Sequence, residues 1–123
     1  MKRALVIEDN ENNMELITFI LEVNGYETIR AMNGRTGYEK AVNEIPDFII
    51  LDIQLPDIMG TDVLKMLRSS DKSKSIPVIA MTSYAMSGDC ERLLSAGCDG
   101  YIEKPINPNI VMDQIKKIIG DSL

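Results

Sequence analysis

Short apolar runs alternate with amphipathic stretches along the whole chain. Ala4-Leu5-Val6-Ile7 reads as a first strand. Residues 12–24 read as a helix with Leu16, Ile17, Ile20 and Leu21 on one face, ended by Gly25. Residues 27–31 (ETIRA) form a weaker second strand. The spacing of Tyr38, Ala41, Val42 and Ile45 predicts a helix over 35–44. Gly37 inside it costs about 1 kcal/mol relative to alanine, so this helix is expected to be the loosest. Phe48-Ile49-Ile50-Leu51 is apolar throughout and gives a third strand over 47–52. Thr61 reads as the N-cap of a third helix that turns Val63, Leu64 and Leu67 inward. After the polar loop 69–75 (SSDKSKS), residues 76–81 read as a fourth strand. Residues 86–96 then form a helix that buries Cys90, Leu93 and Leu94, with Gly97 as its C-cap. Residues 100–103 are the fifth strand. Asn107-Pro108 opens the last helix as N-cap and first-turn proline, its apolar face is Val111, Ile115, Ile118 and Ile119, and Gly120 stops it.

Five such strand–helix units define the architecture. Strands that are apolar on both sides need helices on both faces, which calls for a parallel sheet. Right-handed crossovers then lead to a doubly wound α/β sandwich. The 123 residues fit a single domain, 1–123, large enough to bury a core, and no repeat or low-complexity segment interrupts it.

Charge narrows the function classes. The net charge is -6 and there is no histidine. Such a domain has no counterion-release drive onto nucleic acid, and an anionic membrane repels it. No run is long enough to span a bilayer, and the Ala4-to-Ile7 run is too short for a signal peptide, so the expected location is cytoplasmic. Cys90 and Cys98 would stand roughly 12 Å apart along a helix, too far for a disulfide, and are read as packing thiols. Without histidine or a Cys-x-x-Cys pair, a zinc or haem site has no ligand set.

In a doubly wound sheet, functional groups gather at the carboxyl ends of the strands. The first strand ends in Glu8-Asp9, the third in Asp52, the fourth in Thr82-Ser83, and the fifth is followed by Lys104-Pro105. Taken singly, each has a blander reading: a turn or capping carboxylate, a turn hydroxyl, a surface lysine, and half-buried packing for Tyr101. Together they place three carboxylates, a hydroxyl and an ammonium on one rim. Two carboxylates about 4 Å apart repel by roughly 4 kcal/mol at an effective dielectric of 20. One lysine cannot neutralise three, so a proton or a divalent cation is needed. Carboxylate and carbonyl oxygens suit Mg²⁺, which keeps waters and leaves room for a phosphoryl oxygen. A carboxylate beside such a cation and a lysine can act as a nucleophile toward phosphorus.

VIEDN (6–10), LDIQLPDIMG (51–60), MTS (81–83) and YIEKP (101–105) occur in this order, and with them the whole chain resembles a response-regulator receiver domain of two-component signalling. The resemblance implies a flavodoxin-like receiver fold with strand order 2-1-3-4-5, the order of chemotaxis receivers. It implies that Asp52 is the phosphoacceptor and Asp9 a direct Mg²⁺ ligand. Glu8 would hold the metal through water, and the Gln54 backbone carbonyl would complete the site, which Mn²⁺ could also occupy. Thr82 would be the hydroxyl that moves onto the phosphoryl group, Lys104 its ion-pair partner, and Tyr101 the aromatic switch. Pro105 would form a cis peptide that aims the lysine.

It further implies a phosphohistidine donor, either a sensor histidine kinase or a histidine phosphotransfer protein. That donor would dock over the start of the first helix and an apolar patch of Met14, Pro105 and Ile106. A downstream protein would bind the face of the fourth helix, fifth strand and fifth helix. The wording of DIQLP and KPI resembles division-control and phosphorelay receivers more than chemotaxis ones. Glu8 stands where aspartate is usual, Ser83 where a small residue is common, and Tyr84 is bulky beside the phosphoryl site. With Gln54, Tyr84 is expected to impede the hydrolytic water and prolong the signal. The competing reading is an aspartyl-phosphate-forming phosphatase or phosphotransferase. Such enzymes commonly need a general acid two residues after the nucleophile, where Gln54 cannot protonate a leaving group. A flavodoxin-like cofactor binder is disfavoured because the acidic Glu8-Asp9 turn repels phosphate. The chain is therefore expected to catalyse only its own phosphotransfer and slow dephosphorylation.

Overall fold

The computed structural model describes residues 2–83 and 87–120, with the backbone alone for 87–90. The elements are β1 (Arg3–Ile7), α1 (Glu11–Val23), β2 (Glu27–Ala31), α2 (Gly34–Glu44), β3 (Phe48–Asp52), α3 (Gly60–Ser69), β4 (Val78–Thr82), α4 (Ser87–Ser95), β5 (Gly100–Glu103) and α5 (Val111–Ile119). The strands form one five-stranded sheet in the order β2-β1-β3-β4-β5, and the pairings are parallel. This is the doubly wound α/β architecture, with the strand order that the resemblance implies.

Alternate residues of each strand feed two cores, one on each face of the sheet. Ala4, Val6, Phe48, Ile50, Ile79 and Met81 meet α1 and α5 through Met14, Ile17, Leu21, Val111 and Ile115. Leu5, Ile7, Ile49, Leu51, Val78 and Ala80 meet α2 and α3 through Ala41, Val63, Leu64 and Leu67, together with Leu93 of α4. β3 and β4 are buried along their whole length, so their apolar character is continuous rather than alternating. Gly37 belongs to this packing. A Cβ there would lie 2.5 Å from Ile7 Cδ1, so the glycine lets α2 approach β1 closely.

Several boundaries differ from the sequence reading. α3 starts at Gly60, and its cap position, Met59, makes no side-chain hydrogen bond, so Thr61 is inside the helix rather than its N-cap. β4 begins at Val78, because Ile76 still closes the preceding turn through its N–H to Ser73 O. Asn107 does cap a turn, accepting from Asn109 N at 3.0 Å, but α5 proper begins only at Val111. Leu94, expected in the core, is 48% exposed. Ile45, expected on the inner face of α2, is left-handed (φ 47°) at the C-cap and 48% exposed. Cys98 is a buried free thiol, while the Cys90 side chain lies outside the described residues. Among the described residues no helix is long and apolar enough to cross a membrane.

Candidate functional site

The carboxyl edge of the sheet brings together Glu8, Asp9, Asp52 and Lys104. Glu8 follows β1, is fully buried, and donates its N–H to Ala31 O at 3.0 Å. Its Oε2 accepts from Asn10 N at 3.2 Å, and Asn10 in turn caps α1 by accepting from Asn13 N at 2.9 Å. Asp52 closes β3 and is buried, with Oδ1 accepting from Gln54 N at 3.1 Å. Lys104 follows β5, and its N–H bonds Thr82 O at 2.8 Å, which ties the end of β5 to the end of β4. The Lys104–Pro105 peptide is cis. From this position the ammonium reaches Glu8 Oε1 at 3.0 Å and Asp52 Oδ1 at 3.2 Å.

One carboxylate oxygen from each of Glu8, Asp9 and Asp52 lies within 4.8 Å of the others. These residues, with Asn10, Gln54 and Lys104, line an open cleft of about 600 Å³. Thr82 is buried and opens onto an adjoining cleft of about 270 Å³, which shares Gln54 and is otherwise lined by Ile53, Met59, Thr61, Arg92 and Leu93. Tyr101 lies on β5 and is 39% exposed. Tyr84 lies outside the described residues.

Burial pushes the Glu8 carboxyl above the ordinary range, and the neighbouring Asp52 carboxyl pushes it further. Burial alone would lower the Lys104 ammonium, but the facing Glu8 and Asp52 carboxylates outweigh it, so its pKa is raised and the charge is held. Even so, Glu8 Oε1 is buried without a well-formed hydrogen bond, despite the nearby ammonium. An oxygen-only donor set with excess negative charge and an under-satisfied carboxylate oxygen suits a hard divalent cation.

One expectation about this region changes. Met14 and Ile106 are 2% and 8% exposed and belong to the core beneath α1 and α5. The apolar patch they were expected to form with Pro105 therefore does not exist, because both side chains point into the sheet. The rim of α1 beside the cleft is polar instead: Asn10, Glu11, Asn12 and Asn13. Two contributors were missed. Asn10 was legible as an N-cap, since it directly precedes a helix. Asp57, which bonds the N-terminus of α2, had no local signal because its partners are more than twenty residues away.

The model of the response regulator receiver domain matches residues 4–116. The chain belongs to this family. It is 45% identical over 121 residues, 98% of both chains, to the polar-differentiation response regulator DivK of Brucella anthropi. The DivK of Brucella ovis is 43% identical over the same coverage. Among solved structures, the receiver domain of the sensor histidine kinase PA1611 from Pseudomonas aeruginosa has a TM-score of 0.88 and 28% identity, covering 97% of this chain and 98% of that one. Its active-site cleft holds a coordinated magnesium ion. The chemotaxis regulator CheY4 of Vibrio cholerae shares the fold at a TM-score of 0.91 and 24% identity, over 96% of this chain and 98% of that one. This receiver is thus a DivK-like domain of two-component signalling, a class of signalling proteins.

Proposed function

We propose that this receiver is a phosphorylation-activated switch whose phosphoacceptor is Asp52. The observation that carries the reading is the meeting of Asp52 with Lys104, Glu8 and Asp9 on one sheet edge, where the Glu8 Oε1 oxygen has the Lys104 ammonium beside it but no well-formed hydrogen bond. An Asp52 oxygen attacks the phosphorus of a phosphohistidine. The O–P bond forms as the P–N bond breaks, and the imidazole leaves with the electron pair and takes up a proton. Lys104 holds the unreacting Asp52 oxygen and the growing phosphoryl charge. Asp9, Asp52 and the Gln54 carbonyl would hold Mg²⁺ or Mn²⁺ directly, and Glu8 would hold it through water. The cation, when bound, supplies the positive charge that three carboxylates and one lysine lack. Thr82 turns its hydroxyl toward the phosphoryl group, and Tyr101 couples that movement to the face of α4, β5 and α5.

The donor is a histidine kinase or phosphotransfer protein, seated over the polar rim of α1. The output is a protein bound at the α4–β5–α5 face, where Leu94 and Tyr101 are exposed. The polar-differentiation relatives support a place in that kind of circuit. Incubation with acetyl phosphate or phosphoramidate, with and without Mg²⁺, tests the reading by mass measurement. The expected result is a Mg²⁺-dependent gain of one phosphoryl group that Asp52→Asn abolishes. No adduct under any condition, or an equal adduct on Asp52→Asn, overturns it.

A further inference from the structure

The loop between β3 and α3 carries Gln54, and it is held at more points than chain closure needs. At its ends, Ile53 N donates to Met81 O at 3.1 Å and Gly60 N donates to Ile53 O at 2.9 Å. In between, Leu55 and Ile58 are partly buried against the core shared with α2 and α3. The remaining tie leaves the loop altogether. Both carboxylate oxygens of Asp57 accept backbone N–H groups from the first turn of α2: Gly34 N to Oδ1 at 2.8 Å and Arg35 N to Oδ2 at 3.0 Å. α2 already has its own cap, since Asn33 Oδ1 accepts from Thr36 N at 2.8 Å. Asp57 therefore adds to the helix cap a link between that helix and the loop beside the site. The approach is close: a Cβ on Gly34 would lie 2.8 Å from Val63 Cγ2, 3.2 Å from Ile58 Cβ and 3.3 Å from Asp57 Oδ1.

We propose that Asp57 is a positioning residue for the cation site, fixing the 54–59 loop to the N-terminus of α2 so that the Gln54 carbonyl is held ready to ligate. The inference rests on the reading of Gln54 as a ligand given above. Two charge-assisted hydrogen bonds at a helix N-terminus favour the carboxylate and define its orientation. A carbonyl three residues away on a loop so tied reaches the ion without the ordering cost that a loose loop would meet on binding.

The test is a Mg²⁺ titration of the full chain followed by amide NMR, with urea denaturation of each protein alongside. Asp57→Ala is expected to weaken Mg²⁺ binding about 10-fold, the low end for loss of a supporting partner at a metal site. Asp57→Asn, which keeps one acceptor oxygen, should fall between it and the parent, and serves if the alanine variant does not fold. Asn33→Ala is the control: it removes the other cap of α2 and lowers stability, but leaves the loop tie. Its Mg²⁺ affinity should stay within about twofold of the parent. Equal affinity in Asp57→Ala and the parent overturns the proposal, as does equal weakening in Asn33→Ala. If the parent itself binds no Mg²⁺, the metal reading fails first, and that outcome is separate from the other two.

Discussion

Lys104 is the residue on which the site's electrostatics turn. Its ammonium sits between two buried carboxylates, 3.0 Å from Glu8 and 3.2 Å from Asp52. Removing one member of a buried charge cluster leaves the others uncompensated, which typically costs more than the cluster's net worth. Lys104→Ala is therefore expected to lose about 3 kcal/mol in metal-free buffer, read by urea denaturation, and to recover part of it when Mg²⁺ is added. An unchanged midpoint without metal would mean that water already screens the two carboxylates. Asp57 gives a pH signature. The N–H groups of Arg35 and Gly34 lower its pKa below the usual carboxylate value. A carboxyl lowered on folding contributes stability above its unfolded pKa of about 3.9 and loses it as pH falls through the folded value. The melting temperature of the parent should therefore exceed that of Asp57→Asn at pH 7, and the gap should close on acidification below about pH 4. A gap that is constant with pH would show that the hydrogen bonds, not the charge, matter.

The elements were legible where burial is two-sided and opaque where helices end. β3 reads as an apolar run because both its faces are covered. Asp52, Lys104, Glu8 and Asp9 could be read as neighbours because parallel strands put their carboxyl ends on one edge. At helix termini the amphipathic rhythm runs on past the last turn, so Ile45 looked like a core residue and is not, whereas Leu94, inside the last turn of α4 beside the buried Leu93, falls on the solvent side of that helix. The start of α3 was misread because Gly60 is there for a close approach that no local pattern encodes. A Cβ on it would sit 2.5 Å from Ile53 Cα and 2.7 Å from Asp52 O. Neither atom belongs to a flexible side chain that could move aside. Gly60→Ala is expected to destabilise by about 2 kcal/mol and to shift the amide resonances of residues 52–54, measured by urea denaturation and NMR. The C-terminus of α2 invites the reverse change. Ile45 is a β-branched residue in the left-handed region, a conformation that costs an L-residue roughly 1–2 kcal/mol and that glycine adopts freely. Ile45→Gly should raise the urea midpoint despite the lost side chain, which is half exposed; a lower midpoint would mean that its apolar contacts outweigh the strain.

At the scale of the molecule the two edges of the sheet do different work. The carboxyl edge gathers three carboxylates around one lysine, whereas the amino edge is closed by Arg68. That side chain donates from Nε to Gly97 O at 2.9 Å, from Nη1 to Ile76 O at 2.7 Å, and from Nη2 to Asp99 Oδ2 at 3.0 Å. Asp99 Oδ2 also accepts from Val78 N at 2.8 Å, so one guanidinium joins α3 to the starts of β4 and β5. Separation of the edges makes their contributions additive. Mg²⁺ at about 100 times its Kd should stabilise the folded state by about 2.7 kcal/mol, or about 10 °C in melting temperature for a domain of this size. Arg68→Ala should cost about 2 kcal/mol by leaving the Gly97 and Ile76 carbonyls without their donor. Its gain from Mg²⁺ should equal the parent's, whereas Lys104→Ala, at the site itself, should show a different gain. The comparison needs thermal melts of three proteins with Mg²⁺ and with chelator. A Mg²⁺ gain that shrinks in Arg68→Ala would show that the sheet transmits strain from one edge to the other and is not a rigid mount.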